Sequence, residues 1–398
     1  MTSRRDFIVK GGAVAGGIAL GLGGLNASGF TNKNPIRIGI IGTGGRGQGL
    51  AHLLNEIEGA DVTACCDVIP FRLEEGLAIS QGAKGYKDYR KLLEDKNVDA
   101  VIISSPFGLH GEMAVDALDA GKHVYCEKTM VRGIDHIQRT IDKAKANPKL
   151  IFQTGHQYHS SELYRKVRQI VQSGYIGDVT AYHCQWNRNG NWRRAVPDPK
   201  WERQINWRMY KEHSGGLIAE LMSHQIDFIN WTSGSLPAKV SGFGGIDFWK
   251  DGRETYDNIH LLMEYQNGLD ASFNCTTSNK YEGYKIKILG SKATIILNTT
   301  SATIYTENTK PEELGIVDGV SGATMQAWQQ GKGAPVEGNG IDPTKEALIQ
   351  FRDAIEKGEQ PESNVISGGV TAKCVQIGLD AVWDEQVKHW KDYPELRI

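Results

Sequence analysis

The sequence predicts an α/β protein with two domains: an N-terminal domain built on a parallel sheet, and a C-terminal α/β domain with a large, mostly antiparallel open sheet. Between residues 35 and 154, short apolar runs alternate with helical segments, the pattern of a parallel sheet covered by helices on both faces. From residue 178 to about 305, runs with strand character follow one another across short turns such as YQNG, which indicates antiparallel pairing. A chain of 398 residues is long enough for two hydrophobic cores.

The first domain is predicted from its order of strands and helices. The predicted strands, in order, are IRIGIIG, DVTACCD, VDAVIISSP, KHVYCEK and LIFQTG. The predicted helices, in order, are LAHLLNEIEG, RLEEGLAISQG, YRKLLEDKN, HGEMAVDALDAG and IDHIQRTIDKAKANP. This order places the carboxyl ends of the strands at one edge, where ligands bind in open α/β sheets.

The second domain begins with the helix SSELYRKVRQIVQSG, whose apolar residues Leu163, Val167 and Ile170 have the spacing of one buried face. The predicted strands that follow are DVTAYHCQW, KVSGFGG, NIHLLMEY, LDASFNCTT, YKIKILGS, ATIILN and ATIYTE. One helix, GGLIAELMSHQIDFINW, interrupts them. After a long excursion over residues 307–345, the helices TKEALIQFRDAIEKG and SGGVTAKCVQIGLDAVWDEQVKH close the chain.

The N-terminal segment is predicted to be a processing signal. SRRDFIVK, followed by the small, weakly apolar GGAVAGGIALGLGGLNASG, has the pattern of a twin-arginine export signal, with Ala27 as a cleavage position; an ordinary secretory signal or a disordered N-terminus is the alternative. We therefore predict a signal peptide and linker over residues 1–33, a first domain over 34–154 and a second over 155–398, with the closing helices able to pack back on the first domain. The protein is expected to be exported to a bacterial periplasm.

Composition favours a small-molecule ligand. A net charge of −2, with 23% charged residues and no long basic run, argues against nucleic acid as a partner. No apolar run after the N-terminal segment reaches the length of a membrane span. The nine Trp and fourteen Tyr residues are numerous in the second half, where rings pack in a core or stack on sugar faces. The six cysteines lack paired spacing, so we expect buried thiols and no disulfide framework.

The segment GTGGRG predicts a dinucleotide-binding turn of the Rossmann type. Gly42 would form the tight turn, Gly44 would let backbone amides approach a pyrophosphate, and Gly47 would let helix and strand pack closely. Asp67 follows Gly47 by 20 residues, at the end of the next strand, where its carboxylate would accept bonds from ribose hydroxyls. That carboxylate would repel a 2′-phosphate, so NAD is favoured over NADP, although Arg72 lies nearby. Two further residues of the turn are predicted to bind the cofactor, Gly45 and Arg46.

Three segments resemble the Gfo/Idh/MocA family of nicotinamide-dependent sugar and polyol oxidoreductases in order and spacing. They are IGIIGTGGRG, DAVIISSPFGLHGEMAVDALDAGKHVYCEKTM and GGLIAELMSHQID. The resemblance covers roughly residues 35 to 300 and the closing helices. It implies a Rossmann domain, then an α/β domain whose open sheet backs the substrate site and often forms an oligomer interface. A homo-oligomer is therefore expected.

The resemblance also implies catalytic residues. Lys128 corresponds to the lysine of the family's Glu-Lys-Pro motif, beside the nicotinamide and the reacting hydroxyl, and His224 to the histidine of its second-domain helix. Glu220 stands where the family commonly has Asp, so we expect it to share a helix face with His224 and to form a linked proton pair. Thr129 replaces the family's proline, which predicts a looser turn. Hydride removal from a carbinol needs a base and a cation near the oxygen, and Lys128 and His224 are of these types.

Other residues are predicted to surround the cofactor and the substrate. Ser105, His110 and Glu127 are expected beside the cofactor, with His110 forming part of the wall near the nicotinamide. His156 and His159, three residues apart with no third ligand in register, do not predict a metal site. The predicted contacts to sugar hydroxyls and faces are His156, Gln157, Tyr158, Arg188 and Trp192.

Two functions are compatible with these residues. The first is an NAD-dependent oxidoreductase acting on a secondary hydroxyl of a sugar, glycoside or polyol, with tightly bound cofactor. The alternative is a redox-neutral NAD-dependent glycoside hydrolase or lyase that works through a 3-keto intermediate, like the NAD-dependent α-N-acetylgalactosaminidases that resemble this family. The Glu127-Lys128 dipeptide favours the first, because the glycosidase branch tends to lack it.

Overall fold

The first sheet is parallel and six-stranded, in a computed structural model that describes residues 34–307 and 333–394. The strand order is β3-β2-β1-β4-β5-β6. The strands are Ile36–Ile41 (β1), Ala60–Cys66 (β2), Lys84–Tyr86 (β3), Ala100–Ile103 (β4), His123–Cys126 (β5) and Phe152–Thr154 (β6). The helices are Gly45–Leu54 (α1), Pro70–Ile79 (α2), Tyr89–Leu93 (α3), His110–Asp119 (α4) and Ile134–Ala146 (α5). The central strand β4 is wholly buried, because its residues AVII are covered on both faces of the sheet.

The second sheet has nine strands, in the order β14-β13-β12-β11-β7-β10-β9-β8-β15. Its strands are Val179–Asn187 (β7), Pro237–Gly245 (β8), Asn258–Tyr265 (β9), Asp270–Thr276 (β10), Tyr284–Gly290 (β11), Ala293–Leu297 (β12), Ala302–Thr306 (β13), Ala334–Val336 (β14) and Lys388–His389 (β15). Neighbouring strands are antiparallel except for β7 and β10, which are parallel. The predicted fold class, with a mostly antiparallel second sheet, is therefore confirmed. Part of the predicted excursion, residues 308–332, lies outside the described residues.

Two helices of the second domain, α6 (Glu162–Gln172) and α7 (Glu202–Ile205), precede the helix predicted over GGLIAELMSHQIDFINW. That helix begins with a π-helical turn, Ile218–Met222, and continues as α8, Ser223–Ser233. In this segment the apolar residues Leu217, Leu221, Ile226 and Ile229 are all buried. A π-turn adds one residue to the helical repeat, which changes the direction of the side chains around it.

The closing helices join the two sheets. The helix α9, Pro343–Lys357, begins at Asp342, whose carboxylate accepts bonds from the backbone N–H groups of Thr344 and Lys345. Its Phe351 packs edge to face on Tyr125 of the first sheet, with ring centroids 5.6 Å apart. From Ile36 onward the chain forms one compact unit.

The last helix, α10, spans Val365–Trp383 and is shorter than predicted. Glu385 has a left-handed backbone (φ 54°), which ends the helical path, and Lys388 and His389 then pair with β8 as an edge strand. By length and composition alone α10 would be long enough to cross a membrane, but 72% of its most apolar window is buried inside the protein, as in a core helix.

Candidate active site

A cavity of about 570 Å³ lies where residues of the first sheet's carboxyl edge meet residues of the second domain. It brings together most of the residues predicted for the site. From the first domain it is lined by Arg46, Ser105, His110, Glu127 and Lys128, and from the second by Gln157, Tyr158, Arg188, Trp192, Glu220 and His224. The volume suits a small-molecule site.

The glycine turn has the backbone that a diphosphate group requires. Gly42 has φ 94°, a conformation that favours glycine, and a Cβ on Gly47 would lie 2.0 Å from the carbonyl oxygen of Gly42. In the described part of the chain, the backbone N–H groups of residues 44–47, at the start of α1, have no acceptor. Free N–H groups and the helix dipole at this end favour an anion, so the turn fits the pyrophosphate of a dinucleotide.

Asp67 stands at the end of β2, as predicted for the ribose-binding carboxylate. Its oxygens accept bonds from the backbone N–H groups of Thr43 and Ile69, both at 2.9 Å, which hold the carboxylate against the glycine turn. Burial raises the pKa of the Asp67 carboxyl, against the opposing effects of the Ile69 N–H and of Arg72. Each oxygen retains a lone pair that a ribose hydroxyl can use.

Lys128 follows β5, and its ammonium group points into the cavity. Nζ donates to the backbone carbonyl oxygen of Glu220 at 2.9 Å, which fixes the side chain between the two domains. Burial lowers the pKa of Lys128, although the carboxylates of Glu220 and Glu127 oppose the shift. A lysine with a lowered pKa can act as a general base near neutral pH.

The turn at Thr129 is held by a side-chain hydrogen bond to the second domain. The Thr129 hydroxyl donates to the carbonyl oxygen of Ala219 at 2.9 Å, and the side chain is buried. The expectation of a looser turn was wrong, because the hydroxyl that replaces the proline ring bonds the second-domain helix.

Glu220 does not form the predicted proton pair with His224. Its carboxylate accepts a bond from Arg208 Nε at 2.8 Å, and the described hydrogen bonds include none between Glu220 and His224. Although burial alone would raise it, the charges of Arg208 and Lys128 lower the pKa of Glu220. The π-turn places Glu220 and His224 on a non-α repeat, so four-residue spacing does not bring these side chains together.

His224 is buried at the cavity wall among aromatic rings. Its ring centroid lies 5.4 Å from those of Tyr158 and Trp186. Burial, and next the charge of Lys128, lower the pKa of His224 well below that of a free histidine. The imidazole is therefore neutral at neutral pH, and its Nδ1 is buried without a partner among the described residues.

His156 does not line the cavity and lies behind His224, with ring centroids 6.0 Å apart. Its Nδ1 is 3.5 Å from a carboxylate oxygen of Asp227, whose other oxygen is 2.8 Å from Nε2 of His159. Burial lowers the pKa of His156 to about 4. The predicted direct contact of His156 with substrate is therefore corrected to a buried position behind His224, because the turn after β6 directs the ring toward Asp227.

Glu127 and His110 shape the cofactor side of the cavity. The Glu127 carboxylate pairs with Arg46 at 2.8 Å and so holds this arginine of the glycine turn. The ring nitrogens of His110 lie 3.0 Å and 2.9 Å from the carbonyl oxygens of Thr129 and Ser105. His110 is thus held in place at the cavity wall, and its position beside the nicotinamide stays a prediction.

The opposite side of the cavity offers rings and polar groups. Tyr158 stacks on Tyr164, with ring centroids 4.0 Å apart. The guanidinium of Arg188 lies over the rings of Trp186 and Trp192, at 5.4 Å and 5.9 Å. The side-chain oxygen of Gln157 is buried, with no partner in the part of the chain that the structure describes. Such a surface suits a ligand with apolar faces and hydroxyl groups.

Several residues in and around the cavity were not predicted, among them Arg208, Asp227 and Arg194. Arg208 balances Glu220, Asp227 joins the two histidines, and Arg194 lies beside the glycine turn. Their roles depend on contacts between distant segments, and no local spacing marks them.

Within the ranges 34–307 and 333–394, no group of three or more His, Cys, Asp or Glu residues is placed to hold a metal ion. All six cysteines are free and buried.

Two family models match the chain. The oxidoreductase family with an NAD-binding Rossmann fold matches residues 36–156, and the GFO/IDH/MocA C-terminal domain matches residues 164–296. An inositol 2-dehydrogenase of Salmonella typhimurium is 32% identical over 198 residues, 49% of this chain and 54% of that protein. A glycosyl hydrolase family 109 protein of Shewanella amazonensis is 32% identical over 210 residues, 47% of this chain and 45% of that protein. A structure of levoglucosan dehydrogenase with NADH and levoglucosan has a TM-score of 0.71 at 18% identity, over 89% of this chain and 99% of that one; it shows the same fold.

Proposed function

Because the chain belongs to the Gfo/Idh/MocA family of oxidoreductases, with that family's NAD-binding Rossmann domain, we propose that it transfers hydride at a secondary hydroxyl of a sugar, glycoside or polyol. The main support is one cavity that contains Lys128, His224 and the Arg46 side of the glycine turn. A relative named inositol 2-dehydrogenase supports a polyol or sugar as substrate. NAD is preferred to NADP because the buried Asp67 carboxylate opposes a second phosphate at the ribose.

Each side chain of the cavity would have a separate role in the reaction. NAD, when bound, supplies the hydride acceptor. Lys128, as the amine, accepts the hydroxyl proton and then, as the ammonium, donates to the carbonyl oxygen that forms. Neutral His224 holds the hydroxyl in place, and Glu220 stabilises the Lys128 cation by charge. Arg208 keeps Glu220 ionised.

The direction of the Lys128 shift predicts a pH profile. Oxidation needs the amine, so kcat/KM for oxidation should rise with pH through the neutral to alkaline range, up to a pKa below that of free lysine. Reduction needs the ammonium and should fall across the same pKa. His224 adds no step in this range, because its pKa is lowered far below it.

The measurement is the initial rate of NADH formation or consumption at each pH. Lys128→Arg is the matched variant, since a guanidinium does not lose its proton here. Its residual oxidation rate should lack the rise. An unchanged rise in Lys128→Arg would assign the titration to another group.

Tight cofactor retention is testable in the purified protein. The protein, purified without added nucleotide, should show NAD by mass and by its absorbance. A panel of free sugars, polyols and aryl glycosides, added one at a time, should then reduce the bound NAD with one class of substrate. Protein that binds no NAD at all, added or retained, would refute the proposal.

A redox-neutral hydrolase or lyase is the second candidate. The resemblance to the glycosyl hydrolase family 109 protein supports it, because such an enzyme would use the same cofactor and fold. There, carbon 3 would give its hydride to NAD, which acidifies the hydrogen at carbon 2; that proton and the group at carbon 1 would leave, in a hydrolase water would add at carbons 1 and 2, and the hydride would return to carbon 3. Lys128 favours net oxidation or reduction, because the glycosidase branch tends to lack the Glu-Lys pair.

Export also belongs to the proposal. Residues 1–33, with the twin-arginine pattern, lie outside the described residues. A twin-arginine route carries folded proteins, so the chain would take bound NAD with it to the periplasm. Replacement of both Arg4 and Arg5 by Lys should keep the protein in the cytoplasmic fraction, and unchanged export would contradict this route.

A homo-oligomer is proposed through the open face of the second sheet. Leu262 of β9 and Phe243 of β8 expose 58% and 68% of their surface on the face away from the core. Large apolar side chains that are exposed on one face of a sheet mark an association surface. Light scattering should give an oligomer for the native chain and a monomer for Leu262→Lys, and a native monomer would contradict the proposal.

A further inference from the structure

We propose that Arg194, on the loop that follows β7 in the second domain, binds the diphosphate of NAD and closes the cofactor site from the side opposite the glycine turn. The inference rests on the NAD-binding fold of the first domain and is independent of the substrate. It assigns a cofactor contact to the substrate domain.

The position of Arg194 is the first argument. A Cβ placed on Gly45 would lie 3.2 Å from Arg194 Nη1, so the guanidinium stands directly beside the turn. The free N–H groups of residues 44–47 begin at the same place. An anion held by these N–H groups is therefore within reach of the guanidinium.

Charge is the second argument. The guanidinium of Arg194 makes no hydrogen bond or ion pair in the described part of the chain, and Arg72 lies on the same side of the turn, 3.5 Å from a Cβ placed on Gly44. Burial lowers the pKa of Arg72; the charge of Asp67 opposes this shift, and the charges of Arg194 and Arg208 add to it. Clustered cations repel one another unless an anion lies between them. The two charges of a diphosphate supply that anion.

The loop holds Arg194 in position before any ligand binds. The side chain of Asn206, which is buried, accepts from the Arg194 N–H at 2.7 Å and donates to the Arg194 carbonyl at 3.0 Å. The neighbouring Arg193 pairs with Glu202 and, at 3.2 Å, with Asp251. Arg193 thus anchors the loop, while Arg194 is left to point at the turn. Because the backbone is already held, only the exposed side chain has to be ordered when the contact forms.

The position of the contact has a consequence for cofactor exchange. NAD bound by both domains leaves only after the loop moves away from the turn. This would slow release and suit an enzyme whose cofactor stays bound through many turnovers.

The test uses the full chain, freed of nucleotide before each titration. Titration calorimetry measures ligand binding, and a chase measures the release of bound NAD. Arg194→Ala should weaken NAD and ADP-ribose by about 10- to 100-fold, the loss expected for a charge-assisted bond, and leave adenosine within about twofold. NAD release should accelerate by a similar factor. Arg194→Lys should lose less affinity for NAD and ADP-ribose than Arg194→Ala, because lysine keeps the positive charge.

Arg188→Ala is the matched control, since it removes one guanidinium from the same cavity and the same loop. It should leave NAD and ADP-ribose affinity within about twofold. Equal losses in the Arg194 and Arg188 variants would show a general charge effect and overturn the inference, as would unchanged NAD affinity in Arg194→Ala. A failure of every sugar to react would count against the proposed function and leave this binding result to be judged separately.

Discussion

Replacement of Lys128 by Ala is expected to lower the rate of hydride transfer by about 10²- to 10⁴-fold, the usual contribution of a general base. NAD should remain bound, because the turn and Asp67 that hold it do not include this side chain. The Lys128 amine is the group whose lowered pKa suits it to accept the proton, and its position is fixed by the bond to the Glu220 carbonyl. The measurement is NADH formation in a single turnover, with NAD affinity measured beside it.

A structural effect of the substitution is separated by two further variants. Lys128→Met keeps the length and the apolar stem, and should be as slow as Lys128→Ala with an unchanged melting temperature. Lys91→Ala removes an exposed lysine paired with Glu94 on helix α3 and should keep full activity. Full activity in Lys128→Ala would remove the residue from the mechanism.

Replacement of Gly47 by Ala is expected to destabilise the protein by about 1–3 kcal/mol or more and to abolish NAD binding. The new Cβ would lie 2.0 Å from the Gly42 carbonyl oxygen and 2.9 Å from Ser104 Oγ. The Gly42 oxygen cannot easily move, since it accepts a bond from that hydroxyl at 2.7 Å. The helix must shift away from β1, and the N–H groups at its start then lose their direction.

Gly49→Ala is the control in the same helix. A Cβ on Gly49 meets nothing within 4 Å, so this change should stabilise the helix by up to about 1 kcal/mol and leave NAD affinity unchanged. Chemical denaturation and NAD titration of both variants make the comparison. Equal stability of the two would contradict the close packing of turn and strand.

The parts of the site that sequence could predict are local in the chain. The glycine spacing, the strand before it and Asp67 lie within one βαβ unit, so their relative positions follow from the chain itself. Lys128 and His224 were identified because a family likeness placed them, and the structure brings both to one cavity. Their chemical roles stay predictions that the Lys128 and pH experiments address.

The parts that sequence did not predict depend on distant segments. Arg208 reaches Glu220 across twelve positions, and the π-turn that separates Glu220 from His224 has no signature in the apolar pattern. The parallel pairing of β7 with β10 joins strands that are far apart in the chain. Thr129 was expected in a looser turn, but its hydroxyl donates a hydrogen bond to the carbonyl oxygen of Ala219. The sequence could not predict this bond, because the two residues lie 90 positions apart.

We expect bound NAD to exchange a hydride with a sugar hydroxyl in a reaction with net redox. This is measured by following NADH and aglycone separately while the protein acts on a set of aryl glycosides and free sugars. Net redox predicts NADH, or the matching keto-sugar, in amounts equal to the substrate consumed or to the bound cofactor. Release of aglycone with no net NADH and no keto-sugar would contradict it and establish the redox-neutral reaction instead.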